Sequence, residues 1–134
     1  MTAKAPDREH FFAQLGMRDV VVDGADLAME MPTSADRTNA RGALQGGLIA
    51  TLIDVVAGRA ALVGLPSAES VATSDLTVHY LAPVIDGPAR AVARVLRRGS
   101  RSVVVSVEVF DAGADRLAAV STIAFAVLRP RAAI

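Results

Sequence analysis

The run Asn39-Ala-Arg-Gly-Ala-Leu-Gln45-Gly46-Gly47-Leu-Ile-Ala-Thr-Leu-Ile-Asp54-Val-Val-Ala-Gly58-Arg59-Ala-Ala-Leu-Val63 decides the fold. A polar loop leads into a Gly-Gly helix start. The helix that follows is apolar on nearly every side and carries one carboxylate, Asp54, near its middle. A helix apolar all round is either buried or membrane-spanning. In both settings an ionised Asp is costly unless it is paired, hydrogen-bonded or solvated in a functional cavity, which makes Asp54 the first candidate site residue. Gly46 to Leu65 is long enough for a span. However, Asp54 and Arg59 within it would each cost about 2.5 to 3.5 kcal/mol near a bilayer centre, and the flanks carry no tryptophan. A buried core helix is expected, not a membrane segment.

Working outward, Asp7 to Leu15 places Phe11, Phe12 and Leu15 at helical spacing after an N-cap candidate, with Gly16 as the stop. Met17 to Val22 and Leu27 to Met31 read as strands joined by the turn cluster Asp23-Gly24-Ala25-Asp26. Pro32 to Gly42 has no period and reads as a loop. Beyond the helix, Gly64-Leu65-Pro66 breaks the pattern. Four strand-like runs follow: Val71 to Leu81, Ala89 to Arg97, Ser102 to Phe110 and Leu117 to Leu128. The valines at 103, 105, 107 and 109 face one way, and the last run is apolar on both parities. Short turns imply antiparallel neighbours, and a helix apolar all round needs a sheet that curls around it. The expectation is an α+β domain over residues 1–134, a curved antiparallel sheet wrapped around a long central helix, with an N-terminal helix ending at residue 15 and a tail from 129.

The charges narrow the function classes. Fourteen basic residues balance fourteen acidic ones and the two signs are interleaved, so neither a nucleic-acid groove nor a polybasic membrane anchor is indicated. No cysteine is present, and His10 and His79 lack ligand spacing, so no metal site is expected. The first ten residues lack the apolar core of a signal peptide, and a cytoplasmic protein is expected.

The helix start carries the chemistry. The first backbone N–H groups of a helix have no intrahelical partner and its dipole favours negative charge. Gly46 and Gly47 would let a substrate carbonyl approach closely enough to form an oxyanion site; tight helix-to-sheet packing is the plainer reading. Asp54 lies eight residues beyond Gly46, about 12 Å of axial rise at roughly 1.5 Å per residue. If both groups serve one carbonyl, the second copy must come from a partner chain whose helix runs antiparallel. Ala50, Thr51, Ala57 and Gly58 surround Asp54 with small side chains that leave a groove. Asp54 is either a general base or nucleophile, or a structural carboxylate paired with Arg59 or an interface arginine. Asn39 and Gln45 can donate to a carbonyl oxygen, although Asn39 also suits a loop turn and Gln45 a helix cap. By alternation Thr73 shares a strand face with Asp75 and Thr77.

Asn39, then Gly46-Gly47 seven residues on, then Asp54, then Asp75-Leu-Thr-Val-His-Tyr80-Leu-Ala-Pro83 before a valine-rich strand, resembles the hotdog-fold acyl-CoA thioesterases of the PaaI-like group. The resemblance runs from about Leu15 to Leu128. It implies a homodimer, often paired into a tetramer, with active sites at the dimer interface, an acyl-CoA substrate and no separate cofactor. It also implies roles: the Gly46 N–H and the Asn39 side chain polarise the thioester carbonyl, Asp54 of the partner subunit activates water or attacks directly, and Thr73 orients that water. Gly47 would lie in the substrate site, with the CoA arm near the turn containing Arg98, Gly99 and Ser100; an ordinary solvated turn is the alternative there. Where the family commonly has His-Gly-Gly, this chain has Gln45, which can donate a hydrogen bond but cannot shuttle a proton near neutral pH. A silent hotdog module that binds acyl-CoA or an acyl carrier is the alternative function. A hydratase on the same fold would need an Asp-His pair near the helix start, which the sequence lacks.

Overall fold

The computed structural model describes residues 9–130. The proposed Asp7 cap and the end of the tail lie outside them. The helix α1 spans Glu9–Leu15, followed by the strands β1 (Arg18–Val20) and β2 (Leu27–Met31), the central helix α2 (Gly46–Val63), and the strands β3 (Ser70–Tyr80), β4 (Ala89–Arg98), β5 (Ser102–Asp111) and β6 (Arg116–Leu128). All six strands join one antiparallel sheet in the order β1-β2-β4-β5-β6-β3. The expected α+β arrangement is observed. One neighbour relation differs from the reading by short turns: β3 does not pair with β4 but lies at the far edge beside β6. Leu81 to Pro88 therefore crosses the end of the sheet.

α2 touches β2, β3, β4, β5 and β6, so the sheet must curl around it. Ile49, Leu52, Ile53, Val56, Ala57, Ala60 and Ala61 of α2 pack against Val103, Val105, Val107, Val109, Ile123 and Phe125 of the concave face. α2 is long and apolar enough to cross a membrane by length and composition alone, yet this face forms the core of the chain itself. The helix is not covered all round, however. Gly47, Thr51, Asp54 and Gly58, three or four residues apart, make a stripe that the sheet leaves partly open.

Three register shifts interrupt the ladders; one leaves Ala118 of β6 extra opposite β5, and the other two redirect side chains at the site. In β3, Thr73 pairs with Phe125 and Asp75 with Ala124, leaving Ser74 as an extra residue. In β4, Val95 pairs with Val105 and Arg97 with Val104, leaving Leu96 extra. A one-residue bulge switches which face the following side chains occupy, and both switches bear on the site.

Candidate active site

Asp54 is half-buried on the open stripe of α2, and the Thr73 hydroxyl donates to its Oδ1 at 2.7 Å. The bulge at Ser74 brings this about. Alternation alone groups Thr73 with Asp75 and Thr77, but the extra residue puts Thr73 on the concave face with Leu76, Val78 and Tyr80, while Thr77 donates to Asp75 on the other face at 3.2 Å. The Arg59 pairing for Asp54 is not observed. Arg59 binds Asp19 of β1 instead, with Nη2 to Oδ2 at 3.0 Å. The hydrogen bond from Arg59 holds the Asp19 carboxyl below its ordinary value, and Asp19 in turn raises Arg59. Asp54 is thus a partly accessible carboxylate held by one hydroxyl, rather than a fully buried charge.

The other end of α2 borders a cavity of about 440 Å³ lined by Asn39, Leu44, Gly46, Ile49, Tyr80, Val84 and Ile85 among others. Asn39 is held in a turn: its Oδ1 accepts from the N–H of Arg41 at 2.9 Å and of Ala43 at 3.2 Å. Two backbone donors on the oxygen fix the amide orientation and leave the side-chain nitrogen as a donor without a partner among the described residues. The turn reading of Asn39 therefore holds, and its amide nitrogen is left free to donate among the described residues. Gln45 stands at the N-cap position, exposed, and its side chain makes no capping bond. Its carbonyl accepts from Leu48 and Ile49, while the N–H groups of Gly46 and Gly47 find no partner among the described residues.

The Gly-Gly pair is not a packing requirement of this chain. A Cβ at Gly47 would meet nothing within 4 Å, and one at Gly46 would reach ordinary contact, 3.4 Å, with the Tyr80 ring. Tyr80, which was not among the candidate site residues, also donates its hydroxyl to the Gly46 carbonyl at 2.6 Å. It is the chain's only tyrosine and ends a strand just before Ala82-Pro83; only the packing of that strand end on the helix start reveals its place.

Arg98 has a structural task. The bulge at Leu96 pairs Arg98 with Val103 and turns it to the concave face, where Nη1 donates to the Ala61 carbonyl at 2.6 Å and Nη2 to that of Ala60 at 3.3 Å. It caps the end of α2. Gly99 closes the β4–β5 turn onto Ser102, and the Ser100 carbonyl accepts from Arg129. Neither Arg98 nor this turn adjoins the cavity of the same chain.

The structure thus brings the site candidates together in two groups, Asn39, Gln45, Gly46 and Gly47 at the start of α2 and Asp54 with Thr73 at its middle, each beside a different part of β3. Within this frame the sequence profile of the thioesterase superfamily matches residues 41–118. The chain belongs to the thioesterase superfamily. Among its superfamily relatives, a Saccharolobus solfataricus protein that bears an esterase name is 32% identical over 104 residues, covering 78% of this chain and 74% of the relative. A conserved protein of Pseudomonas aeruginosa is 33% identical with a TM-score of 0.78, covering 92% of this chain and 100% of that one. A Bacillus halodurans protein, crystallised with CoA, is 31% identical with a TM-score of 0.71, covering 75% and 66%. A Haemophilus influenzae thioesterase shares the hotdog fold at a TM-score of 0.81 and 21% identity, covering 87% and 81%. Membership marks this superfamily chain as a hydrolase of the thioesterase and esterase kind.

Proposed function

We propose that the protein is an acyl-CoA thioesterase of the PaaI-like group, hydrolysing an acyl-CoA to free acid and CoA at two sites of a homodimer. The observation that carries this reading is the pair of complementary half-sites on one helix. Donors without a partner among the described residues stand at Asn39 and Gly46 beside a cavity, and a carboxylate held by Thr73 stands eight residues beyond Gly46. The rise of about 12 Å between them is too long for one thioester carbonyl. A second copy with its helix antiparallel would place Asp54 of the partner subunit opposite Gly46. The open stripe on α2 and the exposed edge of β3 support that pairing, and two such dimers can associate further.

In each site the Gly46 N–H and the Asn39 amide hold the carbonyl oxygen as it gains negative charge. Asp54 of the partner subunit takes a proton from water, which the threonine beside it in that same subunit orients. The water oxygen bonds to the carbonyl carbon, the carbon–sulfur bond breaks, and the thiolate leaves to be protonated as CoA. Direct attack by Asp54 through an anhydride is the variant of the same scheme. Gln45, exposed at the helix start, would donate to the carbonyl or to the leaving sulfur. The CoA-bound Bacillus halodurans relative supports a CoA thioester. With Arg98 engaged at α2, Arg97 and Arg101, both exposed, are the arginines of the Gly99-Ser100 turn that can face phosphate. No separate cofactor enters the scheme, and a cytoplasmic setting belongs to the same proposal.

One observation favours a second reading, a silent module that binds acyl-CoA or an acyl carrier: Gln45 cannot act as an acid near neutral pH. Hydrolysis assays across acyl-CoAs of varied length and aromaticity decide between them. Turnover of at least one substrate is expected, with kcat falling by about 10²- to 10⁴-fold in Asp54→Asn while circular dichroism is unchanged. Tight binding without turnover across the whole panel would support the silent module, and full activity in Asp54→Asn would remove Asp54 from its role.

A further inference from the structure

We propose that Asp111 and Arg116 clamp the chain segment that walls the cavity and so act as positioning residues that set which acyl groups the enzyme accepts; this rests on the thioesterase reading. The wall is the crossing from β3 to β4. It has no regular secondary structure, and its residues Val84 and Ile85 line the cavity. Such a segment must find outside partners for its backbone groups.

Those partners come mostly from the β5–β6 hairpin. Asp111, completely buried at the end of β5, accepts three consecutive N–H groups, Ile85 at 2.9 Å and Asp86 at 3.2 Å on Oδ2 and Gly87 at 2.7 Å on Oδ1. Arg116 donates from Nη2 to the Pro83 carbonyl at 3.0 Å and lies 3.6 Å from Asp111 Oδ2. The Leu44 N–H donates to the Val84 carbonyl at 2.9 Å, tying the wall to the loop before α2. Every residue from Pro83 to Gly87 is held by a polar contact. Gly113 of the same hairpin packs so closely that a Cβ there would lie 2.7 Å from the Gly87 oxygen and 2.8 Å from Asp86 Cβ.

A buried carboxylate is tolerable only when its lone pairs are filled. Here they are filled by the wall, and neither residue touches the proposed reacting atoms. The spacing of Ile85 from Ile49 and Gly46 across the cavity therefore depends on this clamp.

Arg116→Ala removes the hold on Pro83 at a largely exposed side chain, Asp111→Asn removes one acceptor oxygen, and Gly113→Ala pushes on the wall without changing charge. Arg116→Lys keeps the charge as the conservative control. Amide exchange at Ile85 to Gly87 is measured beside kcat/KM across the acyl-CoA panel. Wild type is expected to separate its best from its poorest acyl group by at least about tenfold. The first three variants should speed exchange at these amides and collapse that spread, mainly through KM, and Arg116→Lys should restore it. Faster exchange with an unchanged spread would overturn the proposal. If Asp111→Asn does not fold, Arg116→Ala and Gly113→Ala carry the test. If wild type turns over nothing, the thioesterase reading fails on its own and the spread is read from calorimetric binding of the same acyl-CoAs; no binding at all overturns both.

Discussion

Thr73 faces Asp54 only because Ser74 is an extra residue in β3. Without that bulge the threonine would lie on the convex face with Thr77, and the carboxylate would have no hydroxyl beside it. The bond joins a neutral hydroxyl to a carboxylate at a partly exposed place, so its net worth is modest. Thr73→Val keeps the shape and removes the donor. It should lower kcat on the order of tenfold with KM nearly unchanged in steady-state assays, and Thr73→Ser should recover most of the loss.

The elements are held at their ends by charged side chains from distant strands. The bulge at Leu96 lets Arg98 reach the last carbonyls of α2, groups that otherwise lack intrahelical partners and carry the negative end of the helix dipole. Arg98→Ala should destabilise the fold by about 1 to 2 kcal/mol, read from urea denaturation. Two buried carboxylates tie strands and loops together. Glu30 of β2 bridges Arg18 of β1 and Arg90 of β4, and Asp111 holds the cavity wall. Burial pushes both carboxyls up, but the arginines around Glu30, and the three backbone donors with Arg116 around Asp111, outweigh it and hold both below the ordinary carboxylate value. The unfolded chain therefore binds more protons at these groups than the native one in mildly acidic solution. The stability they contribute is complete above about pH 5 and is lost as pH falls through about 4 and then through the depressed native values. Urea midpoints measured from pH 7 down to pH 3 should fall along that course, and more gently in Asp111→Asn.

At the scale of the whole molecule, the proposed site requires two chains, and hybrid dimers test it. Asn39→Ala supplies a damaged electrophile-binding end and Asp54→Asn a damaged base. In a hybrid of the two, one site carries both lesions and the other carries neither. Random mixing should then recover roughly a quarter of wild-type activity, because half of the dimers are hybrids and each has one intact site of two. Unmixed variants should stay near background. No recovery despite subunit exchange shown by native mass spectrometry would count against the shared site.

Periodicity was enough to read the α+β class, the long central helix, the β1–β2 hairpin and the valine face of β5, because burial imposes a repeat of 3.6 on a helix and of 2 on a strand wherever one face meets the core. Asp54 stood out for a related reason, since a carboxylate within an apolar run demands a cause, whereas Asn39 and Gly46 stood out by their place at the helix start and by the family resemblance. Alternation failed wherever one inserted residue changed the parity, so the facing of Thr73 and the capping by Arg98 were decided by strand pairing alone. The place of β3 at the sheet edge, the packing of Tyr80 on Gly46, and the burial of Asp111 under a loop more than twenty residues away were likewise settled only in three dimensions. Local sequence determines which face of an element is apolar. Which distant backbone group a polar side chain will satisfy depends on how the elements close around one another in three dimensions.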